Sequence, residues 1–202
     1  MSGIVAQNVG RRSGLVKGPE AAGGEWTLIQ TITSDGSDAT ISFTSGIDST
    51  YDSYCFQFVN IHAETDDATL KFNGSDDGGS SYDIAKTTNF WDAYHREDGG
   101  AAAMGYRVAE DAAQGTGVAT LWRNFGNDAD AGSSGYLYLF NPSSTTFVKH
   151  FISVGVVASS GTYLVHNFMG GYLNTTAAIT AMQFSMSADE IQGGSISLYG
   201  IG

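Results

Sequence analysis

Two runs of alternating side chains in residues 40–62 set the pattern for the rest of the chain. In the first run Ile41 and Phe43 alternate with polar residues, and in the second aromatic residues recur at every other position of residues 54–58. Successive side chains leave a β-strand on opposite faces, so a period of two is the signature of a half-buried strand. Turn-forming residues join the runs at residues 45–49, SGIDS. The stretch therefore predicts two strands of an antiparallel sheet.

Similar runs follow one another along the chain and predict about ten to twelve strands. One open sheet rarely holds so many strands without folding over, so we expect two packed sheets in an antiparallel β-sandwich. The predicted strands are residues 26–32, 39–44, 54–62, 68–73, 90–95, 105–108, 118–124, 135–141, 147–158, 162–170, 179–186 and 195–199.

Residues 83–117 break this pattern and are predicted to form a long irregular segment. The preceding run, residues 74–82, is rich in turn formers, and only residues 90–95 and 105–108 resemble strands. Long excursions of this kind usually lie at one end of a sandwich or reach a partner. We expect this segment to present a binding surface.

Composition favours strands and turns over helices. The 202 residues include 27 glycines and 2 prolines, and 15% are charged, which leaves little material for solvated amphipathic helices. All-β domains of this length are commonly single units. We predict one domain at residues 25–202, preceded by an extended arm and linker at residues 1–24, MSGIVAQNVGRRSGLVKGPEAAGG. A disordered terminus is the alternative for these first residues.

Charge is divided unevenly between these two parts. The net charge is −12, of which residues 1–24 carry +2 and residues 25–202 carry −14. Nucleic-acid binding depends on neutralising phosphates, so an acidic body disfavours it. No run reaches the ~20 apolar residues of a membrane helix, and no secretory signal begins the chain. We expect neither a nucleic-acid nor a membrane partner, and no export.

Cysteine usage indicates a reducing compartment. The single Cys55 excludes an internal disulfide, as is usual for proteins of the cytoplasm. Its place in a strand pattern predicts a small buried hydrophobic residue.

Charge almost disappears toward the C-terminus. No lysine or arginine follows Lys149, and Asp189 and Glu190 are the only acids in residues 150–202. A solvent-facing strand would normally carry some charges. Two interpretations stay open. Either these strands are covered on both faces, by the opposite sheet or by neighbouring subunits, or their surface is neutral and rich in Ser, Thr and Asn.

Candidate catalytic and metal-binding residues are few. The four histidines are scattered without metal-ligand spacing, and the chain has no GxSxG elbow, phosphate loop or CxxC pair. Asp76, Asp77, Asp128 and Asp130 sit among glycines and serines, as calcium ligands can, but residues 127–132 lack the third acid and the distal glutamate of an EF-hand. We therefore expect solvated acidic turns, with no metal, no cofactor and no enzymatic activity.

Aromatic residues supply the strongest candidate ligand site. Trp91, Tyr94, Tyr106 and Trp122 lie in or beside the irregular segment. Exposed tryptophan and tyrosine can form a platform for sugar rings or the centre of a protein interface. Core packing is the alternative for each of them.

Three stretches resemble a known class of proteins. They are FTSGIDSTYDSY at residues 43–54, NGSDDGGSSY at residues 73–82 and GGSISLYGI at residues 193–201. These patterns are similar to those of virion structural proteins of tailed bacteriophages, over residues 26–202. The resemblance implies a jelly-roll type of β-sandwich without enzymatic activity, placed in a tail fibre, head fibre or capsid decoration. Together with the missing charges of residues 150–202, the resemblance predicts a homo-oligomer, most often a trimer in this class, with part of residues 150–202 at the subunit contacts.

The resemblance gives the basic arm a role. It implies a virion component that is assembled in the host cytoplasm and bound to other virion proteins of the capsid, neck or tail. The alternative is a receptor-binding module of a tail fibre that recognises a host-surface glycan. The residues expected to dock the arm, by adding an extended strand to a partner, are Arg11, Arg12, Leu15, Val16 and Lys17.

Overall fold

The computed structural model describes residues 24–202, so the predicted arm lies outside the described residues except for Gly24. The described part contains thirteen β-strands and one short 3-10 turn, Val108–Glu110, and no helix in it is long and apolar enough to cross a membrane. The prediction of an all-β chain is confirmed. The strands are β1 (Trp26–Thr33), β2 (Thr40–Phe43), β3 (Ser53–Ala63), β4 (Ala68–Ser75), β5 (Lys86–Arg96), β6 (Ala102–Tyr106), β7 (Ala113–Gly115), β8 (Ala119–Phe125), β9 (Ser133–Phe140), β10 (Lys149–Ser159), β11 (Tyr163–Leu173), β12 (Ala181–Met186) and β13 (Ile191–Ile201).

The strands pair antiparallel in two sheets that form a β-sandwich. The larger, nine-stranded sheet has the order β1-β13-β3-β9-β10-β11-β5-β6, with β7 paired to β5, and the smaller sheet has the order β2-β12-β4-β8. The expectation of two packed sheets is confirmed, and the jelly-roll type stays a prediction. Strands from the two ends of the domain are interleaved, because β13 lies between β1 and β3 and β12 lies between β2 and β4.

Aromatic side chains fill the space between the sheets. Between ring centroids, Phe58 of β3 lies 5.0 Å from Phe184 of β12 and 4.9 Å from Trp122 of β8, and Phe43 lies 5.3 Å from Phe56. These pairs meet edge to face, the geometry that aromatic quadrupoles favour. All five side chains are fully buried. The alternating aromatic positions of β2 and β3 therefore face the core, as the sequence predicted.

Two glycines on neighbouring strands leave room for Trp122. Gly135 of β9 and Gly155 of β10 are paired in register on the inner face of the larger sheet. A Cβ atom on Gly155 would lie only 2.1 Å from Cε2 of the Trp122 indole ring, so β8 can approach this closely only because Gly155 has no side chain. The indole nitrogen donates to Ser153 Oγ at 2.9 Å, and Ser153 donates to the Tyr136 carbonyl at 2.8 Å. The core tryptophan therefore has both a matching slot and a hydrogen-bond partner.

The prediction of a long irregular segment at residues 83–117 is wrong. β5 runs through it for 11 residues and pairs with β11 without a break, from Lys86 opposite Leu173 to Arg96 opposite Tyr163. β6 and β7 pair with the other edge of β5. The segment is therefore part of the sheet.

Polar residues on the inner face of β5 explain why its alternation is hard to see. Lys86, Thr88 and Asp92 are buried there. Thr88 Oγ1 accepts a hydrogen bond from the Ala112 N–H at 2.8 Å, and Asp92 Oδ1 accepts one from Arg107 Nε at 2.9 Å. Partners of this kind make buried polar groups tolerable. The same residues remove the apolar repeat by which a strand is recognised.

Lys86 is a fully buried cation near the edge of the core. Its ammonium donates to the Gly117 carbonyl at 2.5 Å. Burial lowers the pKa of Lys86 to about 8, because that carbonyl and the opposing charge of Asp83 replace only part of the lost hydration.

We expect Lys86→Met to abolish a rise in stability that the native chain shows between about pH 8 and pH 10.5. In this window the unfolded chain still holds the lysine proton and the folded chain has released it, so folding becomes more favourable as the pH rises. The native free energy of unfolding should rise relative to the variant by an amount on the order of 3 kcal/mol. Urea unfolding at several pH values measures it. Lys71→Met, a substitution of a less buried lysine, is the control. A native-minus-variant difference that does not change with pH would contradict the assignment.

Candidate interaction surface

The nine-stranded sheet has an inner face on the core and an outer face that points away from the four-stranded sheet. Side chains alternate between the two faces, and the cross-strand register sets the outward residues side by side. None of these outward residues is Asp, Glu, Lys or Arg. The outer face consists of Trp26, Leu28, Thr31 and Thr33 on β1, Ser195, Ser197, Tyr199 and Ile201 on β13, Ser53, Cys55, Gln57 and Val59 on β3, Ser134, Tyr136, Tyr138 and Phe140 on β9, His150, Ile152, Val154, Val156 and Ala158 on β10, Leu164, His166, Phe168, Gly170 and Tyr172 on β11, Thr87, Asn89, Trp91, Ala93 and His95 on β5, and Ala102, Met104 and Tyr106 on β6.

The outer face carries most of the exposed large hydrophobic side chains of the described chain. Ten of the thirteen lie on it, and Met104, at 71% exposure, is the most exposed of the ten. Soluble monomers rarely expose a contiguous apolar patch larger than a few hundred Å². The concentration of these side chains on one face therefore indicates a contact surface. The ten are Trp26, Leu28, Val59, Met104, Tyr106, Tyr136, Phe140, Ile152, Val156 and Leu164.

One aromatic patch covers the β1 side of the outer face. Between ring centroids, Trp26 lies 5.5 Å from Tyr199 and 6.0 Å from Tyr138, and Tyr138 lies 5.2 Å from Tyr136. Cys55 is paired with Tyr138 on one side and Tyr199 on the other, and it is fully buried. Burial raises the pKa of the Cys55 thiol to about 12. The prediction that this cysteine behaves as a small buried hydrophobic residue is confirmed.

A second aromatic patch lies on the β5 side. Trp91 stacks flat on Phe168, with ring centroids 3.9 Å apart and planes 7° from parallel, and His166 lies 4.1 Å from Phe168. Tyr106 of β6 is opposite Trp91 in the register. Ile152, Val154 and Val156 on β10 fill the strip between this patch and the first one.

The four predicted platform residues do not form one surface. Trp91 and Tyr106 are neighbours on the outer face, whereas Tyr94 points to the opposite side of β5 and meets Tyr163 edge to face at 5.6 Å. Trp122 is fully buried between the sheets, so it cannot present a ring to a ligand. The hypothesis of a single four-residue platform is wrong, and core packing is the correct interpretation for Trp122.

The outward residues of β10 and β11 bear on the two interpretations of residues 150–202. The opposite sheet covers the inner sides of these strands, and their outward sides remain partly exposed, with Ile152 and Leu164 about half exposed. The outward residues are mostly aliphatic or aromatic rather than Ser, Thr or Asn. The outward side of β13, however, presents Ser195 and Ser197, so both interpretations of residues 150–202 stay predictions.

Acidic side chains are concentrated in the turns. Of the 20 acidic residues in residues 25–202, Asp92 alone lies within a strand, and it faces the core. Negative charge therefore gathers at the ends of the sandwich, while the outer face between them is neutral. End-to-end approach of two copies would bring like charges together, whereas approach through the outer face would not.

The acidic turns stabilise themselves through their own hydrogen bonds. Asp77 accepts hydrogen bonds from Ser75 Oγ at 2.6 Å and from Ser81 Oγ at 2.8 Å. These bonds, that of Ser75 first, lower the pKa of Asp77 to about 2. In residues 24–202 no three His, Cys, Asp or Glu side chains are close enough together to hold a metal ion.

Sequence reasoning detected one part of the outer face and missed the rest. The lack of charge in residues 150–202 was visible, but the same lack at alternate positions of β1, β3, β5 and β9 becomes apparent only with the register. The docking residues Arg11, Arg12, Leu15, Val16 and Lys17 lie outside the described residues.

No family model, curated protein or solved structure matches this chain. Its function is therefore inferred from the geometry of the outer face.

Proposed function

We propose that this chain is a non-enzymatic structural component of a tailed-bacteriophage virion, placed as a capsid decoration, head fibre or tail-associated protein. In this proposal it forms a homo-oligomer through the outer face and docks to other virion proteins through residues 1–24. The observation that carries the proposal is the outer face itself, which is broad, uncharged and rich in exposed aromatic side chains. Such a surface suits a protein that is built permanently into an assembly.

The proposed occupant of the outer face is a second copy of the chain. With strands about 4.8 Å apart and about 3.3 Å per residue, eight strands make a face of roughly 1,000 Å². A standard stable interface needs about 800 Å² from each partner, so the face is large enough. Two copies that meet through this neutral face bring no like charges into contact, although each body is strongly acidic.

Three copies are the proposed stoichiometry. The outer face has two aromatic patches on either side of the aliphatic strip of β10, so one copy can contact two neighbours with different halves of the face. Each contact then buries roughly 500 Å² from each of two copies, about 1,000 Å² in total, which is the lower bound for a specific interface. Contacts between unlike patches close into a ring when the rotation allows it. A closed ring of three copies agrees in number with the trimer that the family resemblance implies.

The arm is the proposed attachment device. Residues 1–24 carry +2 against −14 for the remainder, so they suit an acidic or neutral groove on another virion protein. An extended segment can bind by adding a strand to a partner sheet, where main-chain hydrogen bonds supply affinity and alternate side chains supply specificity.

A chain that begins at Glu25 should fold normally and fail to join the particle. Removing residues 1–24 takes away the proposed docking contacts and leaves every strand of the sandwich in place. Incorporation is measured by mass spectrometry of purified particles, with the full-length chain as the reference. Circular dichroism and light scattering of the free proteins check that the fold and the oligomeric state are unchanged.

The matched control is a full-length chain in which Arg11, Arg12 and Lys17 are replaced by glutamine. It keeps the length of the arm and removes its charge, so partial loss of incorporation would assign the remaining affinity to main-chain pairing. Incorporation of the shortened chain at the full-length level would overturn the role of the arm, and the anchoring surface would then have to lie on the sandwich.

One observation favours a second candidate function, a receptor-binding module of a tail fibre that recognises a host-surface glycan. Tyr106 is 59% exposed beside the stacked pair of Trp91 and Phe168. Exposed aromatic rings of this kind offer flat apolar faces to sugar rings.

A further inference from the structure

A pocket with a volume of about 160 Å³ opens on the inner side of the larger sheet. β8 is the edge strand of the smaller sheet and packs over β10 and β11. The larger sheet continues beyond them to β5 and β6, whose inner faces the smaller sheet does not cover. The polar and aromatic side chains that line the pocket are Asp92, Tyr94, Arg107, Arg123, Asn124 and Tyr163.

The pocket has more positive than negative charge. Asp92 is 2% exposed and accepts from Arg107, with Nη2 at 2.7 Å from Oδ1, while Arg123 Nη1 lies 3.5 Å from Oδ2. Arg123 also donates through Nε to Asn124 Oδ1 at 2.6 Å. One carboxylate therefore faces two guanidinium groups, and no second acid lines the pocket.

The arginines keep unused hydrogen-bond donors. Each guanidinium has five N–H groups, and the contacts to Asp92 and Asn124 use only part of them. Arg96 lies 5.8 Å from the ring of Tyr163, but it pairs with Asp98 at 3.3 Å and does not line the pocket. The positive charge of the pocket therefore comes from Arg107 and Arg123.

The remaining wall of the pocket is aromatic. Tyr94 and Tyr163 meet edge to face at 5.6 Å, and both line the pocket. An apolar cavity of about 150 Å³ is known to hold benzene, so a pocket of this size has room for one six-membered ring. Convergent charged groups beside apolar walls are typical of small-molecule sites.

We propose that this pocket binds a carboxylate carried on a six-membered ring. The carboxylate accepts hydrogen bonds from Arg123 and Arg107, whose fork geometry matches it, and the ring packs against Tyr94 and Tyr163. Both an acidic sugar residue and an aromatic acid have this chemistry. The pocket lies on the opposite side of the sheet from the outer face, so binding is independent of the proposed assembly.

The proposal is tested by titrating the full-length chain with glucuronate and with benzoate. Calorimetry gives the affinity, and the arginine Nε–H signals in nuclear magnetic resonance spectra locate the ligand. Glucose and inorganic phosphate are the reference ligands, because the first lacks the charge and the second lacks the ring. Arg123→Gln should weaken binding of the ring acid by about 10- to 100-fold, since it removes hydrogen bonds to a charged group. Lys71→Gln removes the same charge from the far side of the smaller sheet and should change the affinity less than about twofold.

The outcomes separate the possible sources of the ligand. Saturable binding of glucuronate but not benzoate assigns an acidic sugar, and the reverse assigns an aromatic acid. The proposal would be overturned if neither glucuronate nor benzoate binds, or if phosphate binds as tightly as either of them. It would also be overturned if Lys71→Gln lowers the affinity as much as Arg123→Gln does. If a thermal melt shows that Arg123→Gln is unfolded, Arg123→Lys is used instead. Lysine keeps the positive charge but lacks the planar guanidinium group that can bind a carboxylate through two hydrogen bonds. Retention of full affinity in that variant would also overturn the proposal.

Discussion

Gly155→Ala is expected to lower the free energy of unfolding by about 3 kcal/mol or more. The new methyl group would lie 2.1 Å from the Trp122 indole ring, which is fully buried and contacts Phe58 and Ser153. Neither the ring nor the strand can move without opening the contact between the sheets. Because close-packed interiors transmit such strain, the cost should exceed that of an ordinary small-to-large change.

Gly170→Ala is the matched control for this substitution. Gly170 lies on the adjacent strand but on the outer face, where a Cβ atom would find its nearest neighbour, Asn89 Oδ1, at 3.4 Å. We expect a change below about 1 kcal/mol there. Urea unfolding at one fixed protein concentration measures both variants. Equal effects at the two positions would contradict the slot that Gly155 provides for Trp122.

Lysine at both Ile152 and Val156 is expected to weaken self-association by more than about 100-fold. These side chains are 48% and 41% exposed at the centre of the outer face, on β10. An unpaired charge buried in an interface costs several kcal/mol, whereas in the separated monomer both lysines would remain in water. The loss should therefore appear in assembly and not in the fold. Light scattering across a concentration series measures the oligomeric state.

Val118→Lys together with Phe147→Lys provides the control for that prediction. Both residues are exposed large hydrophobics, at 47% and 67%, and both lie off the outer face. Their replacement should leave the oligomer intact. A native chain that is monomeric at high concentration, with residues 1–24 present, would overturn the assembly proposal. A native oligomer that survives the Ile152 and Val156 substitutions would move the interface elsewhere.

The sequence was sufficient for the fold class because most strands carry apolar residues on the core side. β2 and β3 were predicted within a few residues for this reason. β5 was predicted only at residues 90–95, and its beginning was missed because Lys86 and Thr88 occupy core-facing positions there. The partners of these two side chains come from loops that no local pattern can reveal.

The candidate surface was harder to predict than the strands. An aromatic residue in a strand has two possible sides, and the choice depends on residues far away in the chain. Trp122 turns inward because Gly135 and Gly155 leave space for it, whereas Trp91 turns outward onto Phe168. The uncharged face is assembled from eight strands, and the acidic turns between them conceal it in any sequence window.

The interleaving of early and late strands has a consequence for the order of events during synthesis. β1 and β3 are separated by β13, and β2 and β4 are separated by β12, so none of these early strands can complete its pairing until residues 181–201 have left the ribosome. Contacts between residues so distant in sequence form slowly, since a long loop must close first. The sheet that carries the outer face is therefore incomplete on a nascent chain. If the outer face is the subunit contact proposed above, copies can meet through a complete face only after synthesis of residues 181–201.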